Sequence, residues 1–199
     1  MSNAMEDWLP RHRITVEEYH RMGELGLFAP DARVELIEGE IIDMAPIGSG
    51  HGTVVDRLSK RLMFAVMDQA IVRTQGTVEL SRWNQVQPDI SVLKPRSDEY
   101  SRANPCGAEA LLIVEVSDTS LRYDCSAKLA LYARYGVREV WVADVVNRRV
   151  HFFREPGDVA YADVSVMAEP GSIAVPFLRG LSVNLNGLFD LEPPVATSE

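Results

Sequence analysis

The chain is poor in cysteine, in long apolar runs and in positive charge, and each shortage excludes something. Only Cys106 and Cys125 occur among 199 residues, without metal-type spacing. Two cysteines build no disulfide framework, which points to a reducing cytoplasm. No stretch approaches the roughly 20 consecutive apolar residues of a membrane helix, and no basic-then-apolar leader opens the sequence. A soluble cytoplasmic protein with no membrane partner is expected. Acidic residues outnumber basic ones by 29 to 20, for a net charge of −9. That balance argues against a protein that coats nucleic acid through a broad basic field. It leaves room for an enzyme that meets nucleic acid through a local patch, and metal-binding carboxylates push the charge in the same direction. Internal repeats and low-complexity runs are also missing.

What is present reads as one ordinary domain. Hydrophobic residues make up 46% and charged residues 25%, the composition of a globular chain with its own core. Met1-Ser2-Asn3-Ala4 precedes a second methionine, Met5, and reads as an expression scar over residues 1–4. Residues 192–199, polar with two prolines, read as a loose tail. A single domain over 5–191 is expected between them.

Thr15-Val16-Glu17-Glu18 predicts a capped helix start, with the helix ending near Gly23 or Gly26. Val34–Met44, split by Glu38-Gly39, predicts two short strands joined by a tight turn. After Gly48-Ser49-Gly50 and His51, the residues Val54, Val55, Leu58, Leu62 and Val66 recur at helical spacing. Ile71–Leu80 reads as one strand, Pro88–Leu93 as another, and Lys94–Glu109 as a polar loop. Leu111–Val116 is continuously apolar except for Glu115, which marks a strand covered on both faces. Asp124 opens a second helix that Gly136 stops near Tyr135. Val140–Ala143 and Val150–Phe153 are strands paired through a turn near Asn147-Arg148, and a helical turn closes the chain around Leu185–Phe189. Helices alternating with strands imply a mixed sheet with helical cover.

The chemistry concentrates at three positions. A carboxylate such as Glu115 inside a covered strand costs several kcal/mol unless a cation compensates. Its structural alternative is a paired glutamate at a strand end. Asp89 follows a proline and starts an apolar strand; alone it is a common turn-to-strand junction. Neighbouring strands lie about 4.8 Å apart, so if these two are adjacent, both acids can reach one divalent ion. Such hard oxygen donors suit Mg2+ or Mn2+. Lys128 lies on the following helix with Asp124 one turn before it, and the alternative to a catalytic role is a solvated lysine paired with Asp124. Asp124 itself reads as a helix cap. Trp83, Trp141, Tyr132 and Phe153 read as packing residues.

Pro88-Asp89-Ile90, Val114-Glu115-Val116-Ser117-Asp118-Thr119-Ser120, Asp124 followed by Lys128-Leu129-Ala130-Leu131-Tyr132-Ala133, and Gly136-Val137 with Glu139-Val140-Trp141-Val142 together resemble the Uma-two putative restriction endonuclease family. That family is a branch of the PD-(D/E)XK nuclease superfamily. Val34–Ile41 and His51 extend the resemblance, which spans roughly Ile14 to Phe153. It implies an α/β, restriction-endonuclease-like fold: a central mixed β-sheet flanked by α-helices. It implies that Asp89 and Glu115 are the metal-binding acids and makes Glu35 a candidate additional acid. One departure stands out: Ser117 occupies the place where a lysine would complete E-x-K, and Lys128 is its natural substitute. His51, after a glycine-rich loop, is read either as a helper in proton transfer or phosphate contact or as a helix-start histidine with local hydrogen bonds.

The expected function is a Mg2+-dependent endonuclease, with Mn2+ as substitute, hydrolysing phosphodiester bonds in nucleic acid, chiefly DNA. Asp89, Glu115, Lys128, Glu35 and His51 would be its catalytic residues. The competing reading, favoured by Ser117 and the acidic balance, is an inactive nuclease-fold binding or assembly module. A short exposed edge strand after Val150 would suit a homodimer under either reading.

Overall fold

The computed structural model describes residues 11–118, 127–168, 171–175, 177 and 180–191. Helix α1 (Val16–Glu24) starts on the expected reciprocal cap. The Glu18 amide donates to Thr15 Oγ1, and the Thr15 amide donates to the Glu18 carboxylate at 2.8 Å. Strands β1 (Val34–Ile37) and β2 (Glu40–Asp43) form an antiparallel hairpin. Its corner residues, Glu38 and Gly39, have φ of 51° and 81°, the left-handed pair that a tight two-residue hairpin turn demands.

Helix α2 (Ser49–Val66) buries Val54, Val55, Leu58, Leu62 and Val66. This is the stripe expected from the sequence, and fully burying each of its leucines contributes about 1.5–3 kcal/mol. The stretch Ile71–Leu80 departs from expectation. It is two strands, β3 (Ile71–Thr74) and β4 (Val78–Ser81), in two different sheets. Gln75, with φ of 51°, turns the chain between them, and its amide donates to the Asp89 carbonyl at 2.9 Å. β-Branched residues on both sides of Gln75-Gly76 hide that break from a propensity reading. β4 then turns through Arg82-Trp83 into β5 (Asn84–Val86), a strand the sequence did not reveal, and completes a small sheet of order β2-β1-β5-β4.

The central sheet contains β3 and the strands β6 (Ile90–Leu93), β7 (Ala110–Ser117), β8 (Glu139–Asp144), β9 (Arg149–Pro156) and β10 (Tyr161–Ala168), in the order β10-β9-β8-β7-β6-β3. β7 and β8 run parallel and every other pairing is antiparallel, so the sheet is mixed. Helix α3 (Leu129–Arg134) lies in the connection between the two parallel strands, and Gly136 follows its end with φ of 77°. Asp124, the expected helix start, lies outside the described residues, as do residues 1–4 and the tail 192–199. Strands β11 (Ser172–Ala174) and β12 (Ser182–Asn184) form a separate hairpin. The helical turn expected at Leu185–Phe189 is a hydrogen-bonded turn, Leu188 amide to Leu185 carbonyl at 3.1 Å, and not a helix. Among the described residues, no helix is long and apolar enough to cross a membrane.

All eight residues of β7 are buried, but its two faces differ. Leu112, Val114 and Val116 share a core with α2. Ile113, on the other face, packs with Leu129, Tyr132 and Ala133 of α3 and with Val140 and Val142 of β8. Side chains alternate along a strand, so Glu115 stands on the α3 side. The mixed α/β sheet covered by helices on both faces therefore puts this acid against the helix whose N-terminal cap is Lys128.

Candidate active site

The β6–β7 ladder pairs Ile90 with Val114. One step further along the same register sets Asp89 opposite Glu115, and directly opposed residues share a face. Asp89 is locked at this strand end. Its Oδ2 accepts from the Val116 amide at 2.8 Å and its Oδ1 bonds His51 Nε2 at 2.9 Å. Glu115 Oε1 accepts from the Tyr132 hydroxyl at 2.5 Å and from Lys128 Nζ at 3.0 Å. Lys128 Nζ also lies 3.0 Å from Glu35 Oε1, which in turn accepts from the Gln87 amide at 2.8 Å.

Lys128 thus bridges an acid of the small sheet and an acid of the central one. Lys128 and Tyr132, four positions apart and so on one helix face, converge on the same carboxylate oxygen. Glu35, Asp89, Glu115 and Lys128 are each at most 5% exposed. Polar groups this deep are costly unless each has a partner; Lys128 serves Glu35 and Glu115, and His51 with the Val116 amide serves Asp89.

His51 sits in the first turn of α2, whose N-terminal cap is Gly48. Its hydrogen bond to Asp89 holds the imidazole pKa above its ordinary value; burial works against this, the Asp89 and Asp118 charges add to it, and Arg33 opposes it. A raised folded-state pKa stabilises the protein fully below the unfolded value of about 6.5, and that contribution is lost as pH rises through the folded value. The stability difference between wild type and His51→Asn, in chelator, should therefore be largest below about pH 6.5 and shrink at higher pH. Denaturant titrations from pH 5.5 to 9 would show it. A difference that grows with pH would mean the ring is held neutral.

Glu35, His51, Asp89, Glu115 and Lys128 all line one cavity of about 300 Å³. Ile42, Met44 and Pro46, from β2 and the segment after it, add an apolar wall. Three further polar groups were not singled out from the sequence. Arg33 lines the cavity and donates to the Ala45 carbonyl at 2.9 Å, fixing that wall. Asp118 lines it just beyond β7. Tyr132, read only as packing, also donates to Glu115. A tyrosine one helical turn after the candidate lysine was the available signal for Tyr132; for Arg33 there was none. Ser117 is buried, and its hydroxyl makes no hydrogen bond among the described residues. The cation beside Glu115 comes from the N-terminal cap of α3 instead of from position 117.

Residues 16–186 match the Uma2 family, described as putative restriction endonuclease. The chain belongs to that family. The Uma2 chain is also similar in structure to a putative nuclease belonging to DUF820 from Anabaena variabilis ATCC 29413. The TM-score is 0.67 at 20% identity, covering 89% of this chain and 98% of that one. At that identity the likeness speaks for a shared fold. No curated protein matches the chain.

The donor set of this Uma2 pocket fits a hard divalent ion. Asp89 and Glu115 offer carboxylate oxygens from adjacent strands. Among the described residues, no group of three or more His, Cys, Asp and Glu side chains is arranged to hold a metal. Two carboxylates are nevertheless what Mg2+ takes from many proteins, with water and substrate phosphate completing its octahedron. Glu35, bound to Lys128 and the Gln87 amide, is placed to hold the lysine.

Proposed function

We propose that this Uma2 protein is a Mg2+-dependent endonuclease, with Mn2+ as a working substitute, that hydrolyses phosphodiester bonds in DNA in the cytoplasm. The observation that carries the reading is the Lys128 bridge between Glu115 and Glu35 on the wall of the cavity that also holds Asp89. Family membership and the shared fold support it. A bound divalent ion, held by Asp89 and Glu115, would supply a Lewis acid that lowers the pKa of water and neutralises phosphate charge.

The chain's own groups do the rest. Lys128, desolvated and pointed by Glu35, stabilises negative charge building on the phosphoryl oxygens. Tyr132 donates to Glu115 Oε1 and restrains that carboxylate at the cavity wall. His51, bonded to Asp89, is the group able to hold or release a proton near neutral pH. Arg33 adds a positive charge at the cavity wall for a neighbouring phosphate. A local cluster of this kind serves a protein with a net charge of −9, which lacks the field to bind DNA broadly.

The test is cleavage of plasmid, single-stranded DNA and RNA by the purified chain with Mg2+, Mn2+ or chelator. Metal-dependent DNA cleavage is expected. Glu115→Gln should lower it beyond the roughly 10–100-fold typical of losing a metal's outer partner. Absence of cleavage on every substrate would favour the second reading, an inactive binding or assembly module, for which Ser117 in place of the usual lysine is the specific observation.

A further inference from the structure

β10 is an outer strand of the central sheet. The edge expected after Val150 is therefore not short: it is an eight-residue strand, and every residue after Tyr161 is exposed. Val164 and Val166 are 54% and 53% exposed. In the β9 register they stand against Phe153 and His151, so both lie on one face of the sheet. Natural edge strands are protected by lysine, proline, bulges or cover. β10 has no lysine, arginine or proline, and Asp163 is its one charge.

The strand's own sequence identifies what fits it. A twofold axis through an antiparallel pair places one residue opposite its own copy. Around Ser165 the sequence is a palindrome in its outer positions: Ala162, Val164, Ser165, Val166, Ala168. Centred there, Val164 meets the partner's Val166, Ala162 meets the partner's Ala168, and Asp163 meets the partner's Met167. No charge is opposed by its like. Centring on Asp163 would instead bring two carboxylates face to face, which is destabilising.

We propose that β10 pairs antiparallel with β10 of a second copy, centred on Ser165, to give a homodimer with one continuous sheet. The dimer does not depend on the nuclease reading. If that reading holds, the twofold axis leaves both Glu115 carboxylates on the same face. They would lie seven strand spacings apart across the sheet, on the order of 34 Å at about 4.8 Å each, close to one turn of duplex DNA.

The experiment is light scattering and sedimentation of the full chain over a concentration series, with cysteine cross-linking for register. Wild type should dimerise. V164K/V166K should be monomeric and melt like wild type diluted to its monomer, since it puts lysines opposite lysines at positions exposed in the protomer. In a background with Cys106 and Cys125 replaced by serine, S165C should form an intermolecular disulfide, because directly opposed residues have the Cα separation a disulfide needs. D163C and M167C should cross-link poorly alone and well when mixed. A monomer at every concentration overturns the proposal and leaves the edge to a foreign strand. A dimer indifferent to V164K/V166K, or cross-links without the 165 and 163–167 preference, overturns it as well.

Discussion

Lys128→Ala is expected to end metal-dependent cleavage and to remove a large part of the protein's stability. From the sequence alone Lys128 has a catalytic role, with a solvated lysine paired with Asp124 as the alternative, and under either one its loss leaves the fold intact. In the structure Lys128 is 3% exposed, with Glu35 and Glu115 each 3.0 Å from its nitrogen. Removing it leaves two buried carboxylates that have lost their shared cation. Breaking a buried charge pair in this way costs about 3–5 kcal/mol. In a chain of this size that lowers the melting temperature by about 6–20 °C. The remedy is specific. E35Q/E115Q/K128M replaces the ionic cluster with neutral groups of similar volume, and such replacements are often neutral or stabilising. It should regain most of the stability and none of the cleavage. Lys128→Arg keeps the charge but substitutes a planar fork for a point charge, so it should retain more stability than alanine while cleaving poorly. Thermal melts and Mn2+ cleavage assays on these variants separate the two roles. Wild-type stability in Lys128→Ala would mean that the acids are compensated elsewhere, and wild-type cleavage would remove the lysine from the mechanism.

Much of this arrangement was legible because burial leaves a signature in composition. Leu111–Val116 announced a covered strand, and one acid within it announced a compensating cation. The capping residues of α1 and the Glu38-Gly39 corner were legible because they are local: three or four residues suffice to define them. The strand break at Gln75-Gly76 was not, since β3 and β4 belong to different sheets and only tertiary pairing tells them apart. For the same reason β5 was missed. It is three residues long, and its identity as a strand comes from its neighbours β1 and β4. Arg33 and Asp118 belong to the cavity through the folding of distant segments onto one another, which no spacing along the chain records. Glu35 was visible only by family resemblance. Its hold on Lys128 is a contact between two sheets, and the sequence has no pattern for that.

Mg2+ or Mn2+ is expected to raise the melting temperature of the wild type, and Asp89→Asn is expected to abolish that rise. An ion at about 100 times its dissociation constant stabilises by about 2.7 kcal/mol, or roughly 5–11 °C for a chain of this size. Asparagine suits the comparison because its carbonyl oxygen can still accept the Val116 amide bond that Oδ2 now takes at 2.8 Å. The strand end stays tied while the charge goes. The pH dependence carries the mechanism further. His51 bonds the other oxygen of Asp89 at 2.9 Å, and that bond holds its pKa up. An incoming cation must therefore compete with an imidazolium for the same carboxylate. The metal-induced shift should be small at pH 6, below the raised pKa, and grow as pH rises through that pKa and the ring becomes neutral. In His51→Asn the competitor is gone, so the shift should be larger at pH 6 and nearly flat with pH. Differential scanning calorimetry of the three proteins, with and without Mn2+, supplies the comparison. Equal shifts in wild type and Asp89→Asn would place the ion on some other part of an acidic surface, and a pH-independent shift in wild type would detach His51 from the site's chemistry.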